Sequence, residues 1–173
     1  MGHTPWLDED EQRTWRAFLA ANRLVSERVE RQLQSVSGMP QAYYEILVRL
    51  SEAPGRTLRM SELAASSLSS RSRVSHAVAR MEEAGWIART SCPTDRRGQL
   101  AALTGEGMAV LEGAAPEHVQ TVRSVVFDAL TREQQHALRE ASEALVAHLS
   151  DGPVWPVDEP ACDGGDETGC ASA

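Results

Sequence analysis

The 173 residues carry 25 acidic and 17 basic side chains, a formal charge of −8, and 42% are apolar, the balance of a soluble globular protein with room for one core and an appended tail. No apolar run reaches the roughly 18 residues that a bilayer crossing needs, and the acidic start from Met1 to Glu11 lacks the basic flank and apolar centre of a secretory signal, so a cytoplasmic protein with no membrane partner is expected. The odd and scattered cysteines Cys92, Cys162 and Cys170 argue against a disulfide framework, and no CxxC or Cys/His cluster marks a metal site, so neither metal nor cofactor is expected. Along the chain, Trp15, Phe18, Val25, Val29 and Leu33 recur at steps of three and four and predict a long helix over Glu9–Gln34, with Asn22 interrupting the stripe. After Ser37-Gly38-Met39-Pro40 a second helix carries Tyr43, Ile46, Leu47 and Leu50 on one face and ends at Pro54-Gly55. A short helix around Ser61–Ala65, a serine-rich turn from Ser66 to Ser70 and a further helix over Arg71–Ala84 form a helix-turn-helix pattern stopped by Gly85.

Two short strand-like runs follow, Trp86–Thr90 and Gln99–Leu103, separated by the turn-rich Cys92-Pro93-Thr94-Asp95-Arg96-Arg97-Gly98. Together they predict a β-hairpin wing. Thr104 caps a helix running towards Val126, with a kink or break expected at Pro116. Thr131-Arg132-Glu133-Gln134 is a capping box opening a last helix through Leu138, Ser142, Leu145 and Leu149. The segment 151–173 has six acids and no basic residue and is expected to be a disordered tail. The fold class is thus mainly α with a small β-hairpin wing. Residues 1–38 read as an N-terminal dimerisation helix, 39–105 as a winged helix-turn-helix lobe, and 106–150 as C-terminal dimerisation helices.

The acidic total hides an asymmetry. Between Arg56 and Arg97 lie eight arginines and four acids, a local balance of +4, which leaves −12 on the remainder. Such a distribution marks a phosphate-facing surface on an acidic body. In the Arg71–Ala84 helix, Val74, Ala77, Val78 and Met81 form the buried side, whereas Ser72, Arg73, Ser75, His76 and Arg80 lie partly or wholly opposite. Ser69 and Ser70 are placed to cap its N-terminus, where free amides can hold a phosphate. Arg71 and Arg73 are fork-shaped donors suited to guanine edges or phosphates. Arg80 is better placed for the backbone. A merely solvated helix face would carry the same residues. The neighbouring wing favours duplex DNA, because Arg96 and Arg97 at its tip can enter a narrow minor groove, with Asp95 orienting one of them or simply shaping the turn.

The stretch from Asp95 to Gly107, Asp-Arg-Arg-Gly-Gln-Leu-Ala-Ala-Leu-Thr-Gly-Glu-Gly, resembles the wing signature of the MarR (multiple antibiotic resistance regulator) family, D-x-R, five residues, then L-T-x-x-G. Arg71–His76 and Met81–Ile87 are similar to that family's recognition helix and its passage into the wing. The likeness runs from about Trp15 to Leu149. It implies an obligate homodimer in which the first helix and the last two helices of each subunit interlock while two lobes straddle DNA. The apolar positions Val119, Val122, Val126, Leu130, Leu138, Leu145 and Leu149 agree, being more than one small lobe can cover. A twofold dimer implies a palindromic operator with recognition helices about 34 Å apart.

The resemblance further implies a repressor released by a small aromatic or phenolic anion bound between lobe and dimerisation region. Trp15, Leu19, Tyr43, Tyr44 and Leu47 are the candidate lining, each of which could equally be a core residue. Cys92, beside arginines that would lower a thiol pKa, leaves open a redox-sensing regulator. His118, His136 and His148 share no helical spacing and read as isolated surface residues. Motifs of enzymes are missing: there is no nucleophile elbow, phosphate loop or dinucleotide fingerprint, so a thiol enzyme on Cys92 is disfavoured. A winged helix serving only protein–protein contact is disfavoured by Arg71, Arg73, Arg96 and Arg97.

Overall fold

The computed structural model describes residues 5–67, 70–92 and 95–150, with the side chains of 95–97 outside that description. The tail 151–173, Ser69 and the thiols Cys162 and Cys170 therefore lie outside the described residues.

The first helix, α1, spans Glu9–Ser37. Asp8 and Glu11 close a reciprocal capping box, each carboxylate accepting the other's backbone N–H at 2.8 Å. Gly38 ends the helix with φ +64°, a left-handed conformation that costs glycine nothing. Only the C-terminal half of its apolar stripe reaches the core, through Val29 and Leu33. Helix α2, Gln41–Glu52, starts after Pro40, and Glu30 on α1 accepts the N–H of Gln41 at 2.8 Å. That carboxylate does what a local capping side chain would do and fixes the angle between the two helices. Tyr44, Ile46, Leu47 and Leu50 are the buried face of α2.

A one-turn 3₁₀ segment, Pro54–Arg56, leads into a strand that the residue pattern alone does not reveal: β1, Thr57–Arg59. Helices α3 (Met60–Ser66) and α4 (Arg71–Glu83) follow, then β2 (Ile87–Cys92) and β3 (Asp95–Leu103). The sheet is antiparallel in the order β1-β3-β2, with Leu58 opposite Ala101 and Ile87 opposite Leu103. Leu63, Val74, Val78, Met81, Ile87, Ala101 and Leu103 bury against α2 and join α1 and α5 in one core.

Helix α5, Gly105–Val122, passes straight through Pro116, so the expected break there is corrected. Proline forfeits one helical hydrogen bond, and at this exposed position the helix absorbs it. The irregularity comes later, as a π turn over Arg123–Phe127. Helix α6, Arg132–Leu149, opens with the Thr131/Gln134 capping box and buries nothing within the chain. Leu138, Leu145 and Leu149 remain exposed, as do Trp15, Phe18 and Leu19 on the N-terminal half of α1. Among the described residues, no helix is long and apolar enough to cross a membrane.

Candidate nucleic-acid interface

Helix α4 is held by its apolar side. Val74, Val78 and Met81 are buried against the lobe, leaving Arg71, Ser72, Arg73, Ser75, His76 and Arg80 exposed. Ser70 caps the helix, its Oγ accepting the N–H of Arg73 at 3.4 Å. At about 100° per residue, Arg73, His76 and Arg80 line one edge of the exposed arc. Arg71 and Ser75 line the other edge, with Ser72 between. The two arginines of the first turn thus project from opposite edges of that arc. Arg80 donates to Glu83 at 3.1 Å, an exposed pair that holds the guanidinium over the last turn. Arg71 and Arg73 form no ion pair among the described residues.

The wing is longer than its strand propensities predict. β2 runs to Cys92 and β3 begins at Asp95, with a register irregularity between Ser91 and Cys92 and with Cys92 opposite Asp95. Asp95, Arg96 and Arg97 therefore belong to strand backbone and not to the connecting turn. Pairing of Asp95 with Cys92 closes the hairpin two residues after β2, so the turn-forming composition is taken up partly as an irregularity of the strand. Cys92 itself is buried at 7% exposure, which restricts access of an oxidant to its sulfur.

Two contacts join the end of α4 to the wing and to α5. Glu82 accepts the Arg89 backbone N–H at 3.2 Å and Arg89 Nε at 2.7 Å, and pairs with its Nη2 as well. These bonds hold the Glu82 carboxyl below its ordinary pKa. Thr104 Oγ1 donates to the Gly85 carbonyl at 2.7 Å while accepting the Gly107 N–H at 3.0 Å. Gly107 has no room for a side chain, since a Cβ there would sit 2.2 Å from the Trp86 carbonyl oxygen. Gly85 itself sits at φ +79°. The L-T-x-x-G run is thus a joint between the wing, the end of α4 and α5. In sequence, Arg89 counts only towards the local charge; the signal for its role was its spacing from Glu82 across Gly85.

A family model described as the MarR family matches residues 37–98. The crystal structure of Sco3205, a MarR family transcriptional regulator from Streptomyces coelicolor in complex with DNA, is 46% identical with a TM-score of 0.83, over 90% of this chain and all of that one. AbsC, a MarR family transcriptional regulator from the same organism, is 42% identical with a TM-score of 0.80, over 84% of this chain and 98% of its own. The HTH-type transcriptional regulator PecS of Dickeya dadantii (strain 3937) is 34% identical over 70 residues, which span 42% of PecS and 40% of this chain. The chain belongs to the MarR family of transcriptional regulators.

In this MarR-family chain the five candidate ligand residues are dispersed. Trp15 and Leu19 are exposed on α1, Tyr43 packs half-buried against the core, and Leu47 is fully buried. Tyr44 alone of the five lines the cavity of about 280 Å³ between α2 and α5, together with Gln41, Glu45, Val48, Arg49 and His118. Here the reading of His118 as an isolated surface residue is corrected. Its ring lies 4.2 Å from that of Tyr44, and its Nδ1 is buried without a hydrogen-bond partner among the described residues. The helical period of α5 returns His118 to the side that buries Ala114, a tertiary placement that the spacing between histidines does not carry. Burial pushes the imidazole pKa down, with Glu45 opposing it. Burial likewise lowers Arg49 and raises Tyr44. A wider cavity of about 480 Å³ on the far side of His118 is lined by Val119, Val122, Arg123, Phe127, Arg132 and Gln135.

Proposed function

We propose that this protein binds duplex DNA as a twofold homodimer and represses transcription from a palindromic operator until a small aromatic or phenolic anion releases it. The observation that carries the DNA reading is the exposed arginine-bearing face of α4 braced to the wing through Glu82 and Arg89. Its similarity to Sco3205, crystallised with DNA, supports the same reading. Ser70, Ser72, Ser75 and His76 would supply the shorter contacts around Arg71 and Arg73. Ser69 would help hold a phosphate at the start of α4, and Arg96 and Arg97, at the start of β3, would enter the minor groove with Asp95 orienting one of them.

Pairing is supported by the apolar surfaces left open on residues 1–38 and 106–150, with Trp15, Phe18, Leu138, Leu145 and Leu149 foremost. An anionic effector is supported by the cavity beside Tyr44, where a half-buried guanidinium and an imidazole meet an aromatic ring. A planar acid entering there would stack on Tyr44 with its carboxylate towards Arg49 and His118.

Titration of labelled duplex at several salt concentrations tests the first half. Binding should weaken linearly on a log–log plot with a slope of about −0.9 per phosphate neutralised, and a duplex selected from a random library should bind more tightly than unselected DNA. No salt-dependent binding, or a chain that stays monomeric in light scattering, would overturn the reading. A thermal-shift screen with aromatic acids tests the effector: a raised Tm that disappears in Arg49→Gln is expected.

A further inference from the structure

We propose that Glu82 and Arg89 are positioning residues for DNA, which set the pitch of the wing against the recognition helix without touching the duplex. The inference rests on the winged-lobe reading above and adds the part that aims the wing. β2 is an edge strand, paired only with β3. An edge strand turns some of its backbone N–H groups away from the sheet, and the N–H of Arg89 meets Glu82 on α4. The same carboxylate takes Nε and Nη2 of the Arg89 guanidinium. One acidic side chain thus holds a strand by its main chain and its side chain together.

The pair is about two-thirds shielded from solvent, with side-chain exposures of 30% for Arg89 and 35% for Glu82. Forked, charge-assisted bonds of this kind have defined direction. By contrast Arg80–Glu83, one turn away and largely exposed, constrains nothing beyond its own helix. From Ile87 to Cys92 the strand extends about 16 Å. A tilt of about 10° at its base would therefore move the far end by about 3 Å, whereas a hydrogen bond tolerates only a few tenths of an ångström. The covalent link between α4 and β2 passes through Ala84, Gly85 and Trp86, with Gly85 at φ +79°. Thr104 fixes Gly85 from the α5 side. Backbone bonds from Trp86 to Met81 and from Thr104 to Trp86 hold the base of the hairpin, and the Glu82–Arg89 contact adds a hold further along β2, on the angle of the hairpin over α4.

The test measures binding to a duplex selected from a random library by the wild-type protein, over a range of salt, with hydroxyl-radical footprints and thermal unfolding of each variant. Glu82→Ala and Arg89→Ala should each weaken binding about tenfold and shorten the salt slope by about one to two units. Minor-groove protection by the wing should fade while protection under α4 persists. Because the two residues act through each other, Glu82→Ala/Arg89→Ala should bind no more weakly than either single variant. Folded variants with an unchanged slope and footprint overturn the proposal. So do losses that add in the double variant, because Arg89 would then be contacting DNA itself. If an alanine variant fails to fold, Glu82→Gln, of the same shape but uncharged, gives the same readout: a reduced slope supports the proposal and an unchanged one refutes it. A wild-type protein that binds no duplex would instead defeat the function proposed above, so the two failures are distinguishable.

Discussion

The ring of His118 on α5 lies 4.2 Å from the ring of Tyr44 on α2, so these two helices meet through two titratable aromatics. Burial holds the imidazole pKa below its ordinary value, against the pull of Glu45. A histidine whose folded pKa is depressed binds protons more readily when unfolded. Its contribution to stability is therefore complete above the unfolded pKa of about 6.5 and is lost as pH falls through the folded value. Thermal unfolding should show a fall in Tm as the pH drops below about 6.5 that shrinks in His118→Phe, where an aromatic ring stays and the titration goes. Equal pH dependence in both proteins would contradict this.

Gly107→Ala should be poorly tolerated. The added carbon would meet the Trp86 carbonyl oxygen at 2.2 Å, and backbone cannot step aside as a flexible side chain can. A loss of about 1–3 kcal/mol is expected from overpacking alone. Thr104→Val keeps the shape but leaves the Gly85 carbonyl and the Gly107 N–H without the hydroxyl, at about 1–2 kcal/mol. Urea unfolding at neutral pH measures both, and either variant matching the wild type would show that the joint contributes no rigidity.

Helical periodicity made α1, α2 and α4 legible, because each buries one stripe against a core built at every third or fourth residue. β1 was not legible. Three residues after Pro54-Gly55 have no periodicity of their own and become a strand only because β3 offers Leu100, Ala101 and Ala102 as partners. The same strand drew Asp95, Arg96 and Arg97 out of the loop that their composition describes. Within the site, the exposed face of α4 was visible from the pattern around Val74 and Val78. The Tyr44–His118 contact was not, since it joins positions far apart in sequence whose meeting depends on how α5 crosses α2. For the same reason Trp15 and Leu47, which looked like neighbours of Tyr44, lie one in solvent and the other in the core.

Arg73 shares its edge of α4 with His76 and Arg80, the edge that the proposed DNA complex would turn towards the groove. Arg73→Ala should blunt discrimination between selected and random duplex by about 1–3 kcal/mol. Arg97→Ala should instead weaken binding to every duplex alike and lower the salt slope by about 0.9 for each phosphate that the variant leaves unneutralised. Competition titrations against both DNAs separate the two. Equal losses on both for Arg73 would make it a phosphate ligand, and an unaltered slope would remove Arg97 from the interface.

Helix α6 stands on its caps and not on packing: Thr131 and Gln134 secure its start, yet none of its residues is buried within the chain. A helix of 18 residues with Leu138, Leu145 and Leu149 open to water would be marginal alone, since helices of that length draw most of their stability from burial of an apolar face. Leu145→Glu places a charge in the middle of that face. In a single chain the change would be nearly silent, within about 0.5 kcal/mol for an exposed site. In a dimer it must bury an unpaired carboxylate at the seam, and multi-angle light scattering should show the molar mass fall to that of one chain. Duplex binding should fall with it, because two half-sites held by one body become two independent weak contacts. A Leu145→Glu protein that keeps both its mass and its DNA affinity would place the partner's contact elsewhere than on α6.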